Sequence, residues 1–287
     1  MMKKIIVYVC ACLLLVSCGN FTSENTRSRQ LLDSGWKFYR GEANAEQPGF
    51  DDSSWRTVDL PHDFSIEDIP GTGSPFSPDA VSGINGGFTE GGIGWYRKNI
   101  FVPSSQKDKN FELYFEGAYM NTDVWINGRH LGNHPYGYTP FVYDITDYLA
   151  YDQDNVIAVQ VKNEGNNSRW YAGSGLYRHV WLTVTNPLHI ITHGTYITTP
   201  TVTREMAEVV VETSIVNNYP SGNDVVIETV ITDDAGNRVA SIKADKKINA
   251  GNTDVFTQKT EIESPQLWSP DTPYLYNVTT RIYANNH

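Results

Sequence analysis

Apolar and polar residues alternate along most of the chain, and this period-two pattern is typical of half-buried β-strands. It predicts strands at residues 94–103, 110–118, 122–132, 154–163 and 177–185. Inside one of these segments, Asn127-Gly128 predicts a two-residue hairpin turn, because both central residues of that turn take a positive φ. Apolar residues do not recur at helical spacing over any long stretch, so we expect little helix beyond one turn at 145–150.

A second set of alternating segments begins near Leu188, after Pro187 interrupts the pattern. It predicts strands at 207–218, 224–239, 253–263 and 275–284, with a hairpin loop at 234–237. About seven short strands with a turn every 8–12 residues fit an immunoglobulin-like sandwich. The pattern therefore predicts an all-β chain with one domain at 31–187 and a second at 188–287.

The first 17 residues predict a signal peptide, because Lys3 and Lys4 precede an apolar run that is too short to span a bilayer. The following Leu-Val-Ser-Cys resembles a bacterial lipoprotein processing box, which implies that Cys18 carries lipid. We expect a polar tether at 18–30. The protein would be an exported bacterial lipoprotein, anchored to a membrane only through its lipid, in the periplasm or at the cell surface. An ordinary secretory leader with an incidental Cys is the alternative.

Charge and cysteine content exclude several classes of partner. Loss of the leader takes the 22 basic residues to 20 against 33 acidic ones, a net charge of −13. Such a chain is unsuited to nucleic acid or to an anionic membrane surface. Cys10 and Cys12 leave with the leader and Cys18 would be acylated, so no disulfide and no cysteine metal site are expected. The histidines lack the ligand spacing of a zinc site, and no metal is predicted.

Six segments taken in order resemble the non-catalytic domains of glycoside hydrolase family 2, the β-galactosidase, β-glucuronidase and β-mannosidase group. They are GWKFYRGE, FDDSSWRTVDLPHDFSIE, GWYRKNIFVP, FEGAYMNTDVWINGRHLGNHPYGYTPFVYDIT, NSRWYAGSGLYRHVWL and PQLWSPDTPYLYNVTTRIY. The resemblance covers essentially everything from Leu31 onward. It implies a jelly-roll, galactose-binding-like β-sandwich at 31–187 and an immunoglobulin-like β-sandwich at 188–287. The family's catalytic TIM barrel has no counterpart in this chain.

The resemblance implies the N-terminal portion of a retaining glycosidase that hydrolyses O-glycosidic bonds in carbohydrate breakdown. β-Galactosides are the expected substrates, with β-glucuronides or β-mannosides as alternatives. We expect the chain alone to be inactive, because a retaining glycosidase needs two carboxyl groups about 5–5.5 Å apart. The nearest Asn-Glu string, Asn163-Glu164, only ends a predicted strand. A stand-alone carbohydrate-binding surface lipoprotein is the alternative from another class, and the oligomeric state stays open.

The resemblance also points to residues 166–182, because loops of the first domain wall the sugar pocket in relatives. Arg169 can donate paired hydrogen bonds to sugar hydroxyls, and Trp170 and Tyr171 can stack on a sugar ring. The alternative is that Arg169 and Trp170 only join this domain to the barrel. Asp63 is a second candidate, since a carboxylate accepts from two neighbouring hydroxyls. A structural Asp that holds its own turn is the alternative.

Two further expectations concern the same region. In some β-galactosidases of the family an Asp near this position binds both sodium and the sugar. The matching position here is Arg169, so sodium and magnesium, both found in relatives, are not supported and no cofactor is expected. We expect Arg178 to pair internally. The glycine-rich segment 83–95 is predicted to be a long loop of the kind that is often functional.

Overall fold

The computed structural model describes residues 26–284, and the regular secondary structure of this part of the chain consists almost entirely of antiparallel strands. The predicted leader and Cys18 lie outside the described residues. The first domain contains ten strands: β1 Arg27–Leu31, β2 Trp36–Arg40, β3 Arg56–Val58, β4 Gly92–Val102, β5 Asn110–Phe115, β6 Thr122–Ile126, β7 Arg129–His134, β8 Phe141–Asp144, β9 Gln153–Asn163 and β10 Val180–Thr185. Four short 3-10 turns connect them, at Phe64–Ile66, Ile84–Gly86, Ser104–Gln106 and Thr146–Tyr148.

The ten strands form a sandwich of two sheets. One sheet has the order β1-β10-β5-β8 and the other β3-β2-β4-β9-β6-β7. The predicted hairpin joins β6 to β7, with Asn127 at φ 50° and Gly128 at φ 80°. Alternate side chains from both sheets meet between them and form one apolar core, in which the largest fully buried rings are Trp36, Tyr96, Phe38, Phe64, Phe111 and Phe115. The all-β prediction is confirmed.

The outer face of the larger sheet is also covered, by the segment between β2 and β3. Trp55 and Trp95 pack together there as a second apolar cluster. Arg97, only 2% exposed, reaches from β4 to hold this segment. Its Nε donates to Asp52 Oδ2 at 2.8 Å and its Nη1 to the Gln47 carbonyl at 3.1 Å. The central strands β4 and β9 are therefore buried on both faces.

The predicted tether at 18–30 is wrong over its last residues, because Arg27–Leu31 is strand β1. It pairs with β10 from Arg27 opposite Thr185 to Leu31 opposite Trp181. All five of its side chains are exposed. The strand is held by backbone hydrogen bonds at a sheet edge, where polar residues are normal, so its composition resembled that of a linker.

The second domain is a smaller sandwich of six strands, where the pattern had predicted about seven. They are β11 Leu188–Thr198, β12 Met206–Asn217, β13 Asn223–Thr232, β14 Arg238–Ile248, β15 Thr253–Glu263 and β16 Asn277–Ala284. The two sheets have the orders β11-β12-β15 and β14-β13-β16. Buried Gln258 separates two apolar clusters in this core and accepts a hydrogen bond from Thr229 Oγ1 at 2.7 Å.

Short polar contacts connect the two sandwiches around the turn at Pro187. Arg27 Nη1 donates to the Ile190 carbonyl at 3.3 Å, and Thr192 Oγ1 donates to Glu112 Oε2 at 2.5 Å. The rings of Tyr114 and His193 lie 5.5 Å apart. Within residues 26–284, no helix is long and apolar enough to cross a membrane.

Candidate functional site

The loop between β9 and β10 contains three of the four predicted pocket residues, and Asn163 at the end of β9 clamps its base. The Asn163 Nδ2 donates to the Gly173 carbonyl at 3.0 Å and to Ser174 Oγ at 2.7 Å. Its Oδ1 accepts from Asn167 Nδ2 at 2.8 Å. One side chain therefore ties both ends of the segment 164–173 to the sheet.

Gly175 brings the return limb of the loop against the core of its own domain. It exchanges two backbone hydrogen bonds with Tyr119, at 2.9 and 3.0 Å. Its φ is 130°, and a Cβ at this position would overlap the Tyr96 hydroxyl and the His62 carbonyl. Glycine is therefore required at position 175 for this close approach of the loop to the strand and turn beneath it.

Asp63 uses both carboxylate oxygens inside the domain. It caps the turn Phe64–Ile66, with Oδ1 accepting from Ser65 N at 2.9 Å and from Ser174 N at 2.8 Å. Its Oδ2 accepts from the Tyr171 hydroxyl. Burial and this hydrogen bond raise the pKa of Tyr171, so the phenol stays protonated and donates. This geometry agrees with the structural alternative for Asp63 and places Tyr171 at the base of the loop.

A hydrogen-bonded network of the side chains next to Asp63 fixes the same turn. His62 Nδ1 lies 2.7 Å from the Tyr96 hydroxyl, and its Nε2 lies 2.9 Å from Glu67 Oε1. Burial lowers the pKa of His62, although Glu67 acts in the opposite direction. A neutral imidazole satisfies both contacts by accepting from Tyr96 at Nδ1 and donating to Glu67 from Nε2. Arg56 donates to the same carboxylate and closes the chain.

Arg169 and Trp170 lie in the middle of the loop, and neither side chain takes part in this network. Trp170 is 64% exposed, and its backbone N–H donates to Ser168 Oγ at 3.3 Å. The Arg169 side chain is exposed and makes no hydrogen bond or ion pair with any residue of 26–284. The loop therefore presents an exposed guanidinium and an exposed indole at its surface.

Two clefts flank this loop. The first has a volume of about 380 Å³ and lies between residues 79–92 and 163–173. The predicted glycine-rich loop forms one of its walls, and Gly91 approaches so closely that a Cβ would overlap the Asn163 carbonyl. The second cleft is open, has a volume of about 500 Å³, and is lined by Asn85, Tyr119, Tyr138 and residues 166–170. Trp170 lines both clefts.

The structure thus brings Arg169, Trp170, Tyr171 and Asp63 into one region. It also adds Tyr119 and Tyr138, which sequence reasoning missed. Both lie in short connections beside strands, and the only local signal was a concentration of tyrosines in PYGYTP and in the GAYMNT segment before β6.

The structure also bears on two further expectations, the pairing of Arg178 and the binding of a metal ion. The expected internal pairing of Arg178 finds no support, since its exposed side chain makes no hydrogen bond or ion pair with any residue of 26–284. No group of three or more His, Cys, Asp or Glu side chains within residues 26–284 could hold a metal ion.

Comparison with known proteins gives a consistent relationship over the whole described fold. The family model "Glycosyl hydrolases family 2, sugar binding domain" matches residues 30–187, and "Glycosyl hydrolases family 2" matches residues 189–287. A protein of Bacteroides ovatus named beta-galactosidase BoGH2A is 42% identical over 273 residues, which cover 94% of this chain and 31% of the relative. A putative beta-glucuronidase of Formosa agariphila is 34% identical over 275 residues, covering 95% of this chain and 25% of the relative.

A solved structure agrees with these relatives. A glycosyl hydrolase family 2 member from Bacteroides cellulosilyticus matches with a TM-score of 0.84 at 46% identity, over 90% of this chain and 34% of that chain. The chain therefore spans about a third of the length of these proteins or less. Because family models cover both sandwiches in their order along the chain, this chain belongs to glycosyl hydrolase family 2.

Proposed function

We propose that this chain is the N-terminal portion of a retaining glycosidase that hydrolyses O-glycosidic bonds, with β-galactosides as substrates. The observation that supports this most is the exposed pair of Arg169 and Trp170 on a loop fixed by Asn163 and Asp63. Ordering such side chains costs conformational entropy, and a loop that is already ordered reduces the cost of binding. The first domain would present this loop as one wall of the sugar pocket.

The charges around the loop favour a neutral sugar. Asp79 and Glu164 line the first cleft without an ion pair in the described residues, and Glu90 lies 4.0 Å from Arg40 Nη2. Arg169 is the one cationic side chain among the residues that line the two clefts in the described chain. Carboxylates repel the acidic group of a glucuronide. This balance supports a neutral β-galactoside over a β-glucuronide, which is named among the relatives, and a β-mannoside, which is also neutral, is the remaining alternative.

The chemistry itself is assigned to a catalytic barrel elsewhere in the complete protein. Glu164 is exposed immediately after β9, in the loop that follows the strand. We expect the 287-residue chain alone to hydrolyse no aryl β-galactoside, β-glucuronide or β-mannoside above buffer. Turnover that survives in this chain and disappears in Glu164→Gln would overturn the assignment.

Export as a lipoprotein anchored through Cys18 is a second part of the proposal. It rests on the order of basic residues, apolar run and Leu-Val-Ser-Cys at the start of the sequence. Cys18→Ala should release the protein from membrane fractions, because the lipid is the only anchor proposed. A variant that fractionates with membranes like the parent protein contradicts the anchor.

The test of the main proposal is Arg169→Ala in the complete protein, with Arg204→Ala, another exposed arginine, as the matched control. A hydrogen bond to a charged group contributes about 1.5–3 kcal/mol, so kcat/KM on β-galactosides should fall roughly tenfold to a few hundredfold. The melting temperature should not change, because the exposed Arg169 side chain makes no hydrogen bond or ion pair within the described fold. Normal kinetics in Arg169→Ala would show that the loop does not face the substrate. Sugar binding without any hydrolysis would favour the stand-alone binding protein.

A further inference from the structure

The first strand of the second sandwich, β11, is interrupted by a large bulge. Its pairing with β12 stops after Ile190 and resumes at Thr195. Over this interval, residues 191–194 of β11 stand opposite the single residue Ser214 of β12. A typical β-bulge contains one extra residue, so this one has more chain than a local correction of the strand requires.

The backbone of the bulge has a defined and strained conformation. His193 has a φ of 59°, in the left-handed region that bulky residues rarely adopt. Gly194 follows it, and a Cβ there would lie 2.8 Å from the Ile191 carbonyl oxygen and 2.9 Å from the Ser214 carbonyl oxygen. Strained positions of this kind persist where the surrounding structure holds them, and they are frequent in functional segments.

The bulge contacts the outer face of the β1-β10-β5-β8 sheet of the first sandwich. Thr192 Oγ1 donates to Glu112 Oε2 at 2.5 Å, and the His193 ring lies 5.5 Å from the Tyr114 ring. Thr183 is the partner of Glu112 on β10 and faces away from the apolar core, yet it is only 4% exposed. The burial of this threonine agrees with a bulge that covers this part of the outer face.

The linker between the sandwiches provides a separate point of attachment. The Asn186 N–H donates to the Thr26 carbonyl at 3.1 Å, and its side-chain oxygen accepts from Lys109 Nζ at 2.5 Å. The Asn218 N–H donates to the Pro187 carbonyl at 2.9 Å. Small polar interfaces between domains ordinarily permit relative motion. A linker alone leaves rotation about its own axis, whereas a second attachment away from that axis prevents it.

We propose that the bulge of β11 is a clamp that fixes the angle between the two sandwiches, with Thr192 and His193 closing on Glu112 and Tyr114. Without the clamp, the sandwiches would be joined by contacts close to the linker and would rotate relative to each other, a motion of microseconds to milliseconds. The inference is independent of the proposed function, because none of these four residues lines either cleft of the candidate site.

The test is NMR on the 287-residue chain, with residual dipolar couplings that report the orientation of each sandwich. In the parent chain, couplings from both sandwiches should fit one alignment tensor. In the double variant Thr192→Val with His193→Asn, they should require two tensors of different magnitude. Exchange of the Asn218 amide should become about tenfold faster, because loss of the clamp lets the linker open. Asparagine accepts a positive φ, so the backbone of the bulge should be retained.

Glu112→Gln tests the clamp from the first sandwich, so the test does not depend on how the second sandwich tolerates substitution. It should also separate the two tensors, and adding Thr192→Val to it should have little further effect, because both variants weaken one hydrogen bond. Thr279→Val is the matched control, since this exposed threonine of β16 makes no hydrogen bond with any residue of 26–284.

The inference is overturned if the parent chain itself requires two tensors. It is also overturned if the clamp variants still fit one tensor and exchange the Asn218 amide at the parent rate. The linker would then hold the sandwiches by itself, and the bulge would serve only to protect the edge of its sheet from pairing with another chain.

Discussion

Asp63→Ala should destabilise the first domain markedly, because Asp63 is the acceptor for three donors that come from two separate segments. Two are the backbone N–H groups of Ser65 and Ser174, whose residues are 3% and 0% exposed, and the third is the Tyr171 hydroxyl. Leaving a buried donor without a partner costs about 1–3 kcal/mol. Because water can enter around the half-buried carboxylate, we expect the free energy of unfolding to fall by about 2–4 kcal/mol.

Two further variants divide this effect between its hydrogen bonds. Tyr171→Phe removes only the phenol donor and should cost about 1 kcal/mol. Asp63→Asn keeps one acceptor oxygen for the backbone N–H groups, so its cost should lie between those of Tyr171→Phe and Asp63→Ala. Combining Asp63→Ala with Tyr171→Phe should cost less than the sum of the two, because the phenol has already lost its acceptor.

Urea unfolding followed by tryptophan fluorescence measures these differences mainly in the first domain, since six of the seven tryptophans precede Leu188. Asp68→Ala, an exposed aspartate five residues away, is the matched control and should stay within about 0.5 kcal/mol of the parent chain. If Asp63→Ala also stays within that limit, Asp63 does not hold the loop, and the hypothesis of a sugar-binding carboxylate regains its place.

Three other predictions concern Gly175, Arg97 and His62. Gly175→Ala should lower the free energy of unfolding by about 3 kcal/mol, because a Cβ would overlap buried neighbours at a φ of 130°; a parent-like urea midpoint would contradict this. Arg97→Met should lower the free energy of unfolding by about 3–5 kcal/mol, because it leaves Asp52 and the carbonyls that Arg97 binds without a donor. A smaller loss of stability in calorimetry would show that this buried ion pair is dispensable. Burial lowers the folded-state pKa of His62, so the unfolded chain takes up the proton first and the stability from His62 is lost as the pH falls below about 6.5. Urea unfolding at pH 7 and pH 5 should show a smaller loss for His62→Gln than for the parent chain, and equal losses would disprove the role of His62.

Alternation of apolar and polar residues predicted β4, β5, β6, β7, β9 and β10 of the first sandwich and β12, β13, β15 and β16 of the second, because a strand with one buried face imposes that period locally. It did not predict β2, β3, β8 or β11, or β14 as a separate strand. The hairpin at Asn127-Gly128 was equally readable, since few residue pairs accept two positive φ values. The family's ordered motifs located the loop that presents Arg169 and Trp170. Each of these signals is contained in a short stretch of sequence, and each can therefore be recognised without knowledge of the fold.

The tertiary structure alone decided which groups meet. β1 is recognisable only through its backbone pairing with β10, at least 150 residues away, and its exposed, mostly polar side chains resemble those of a linker. In the sequence, Asp63 resembles a sugar-binding carboxylate. The structure shows that the Ser174 N–H and the Tyr171 hydroxyl donate to its oxygens instead. The second cleft depends on Asn85, Tyr138 and Arg169 arriving from three connections between strands. Contacts between distant segments leave no periodic pattern in the sequence. The local sequence of each segment reflects its own backbone conformation, and only the folded sheets bring the two segments together.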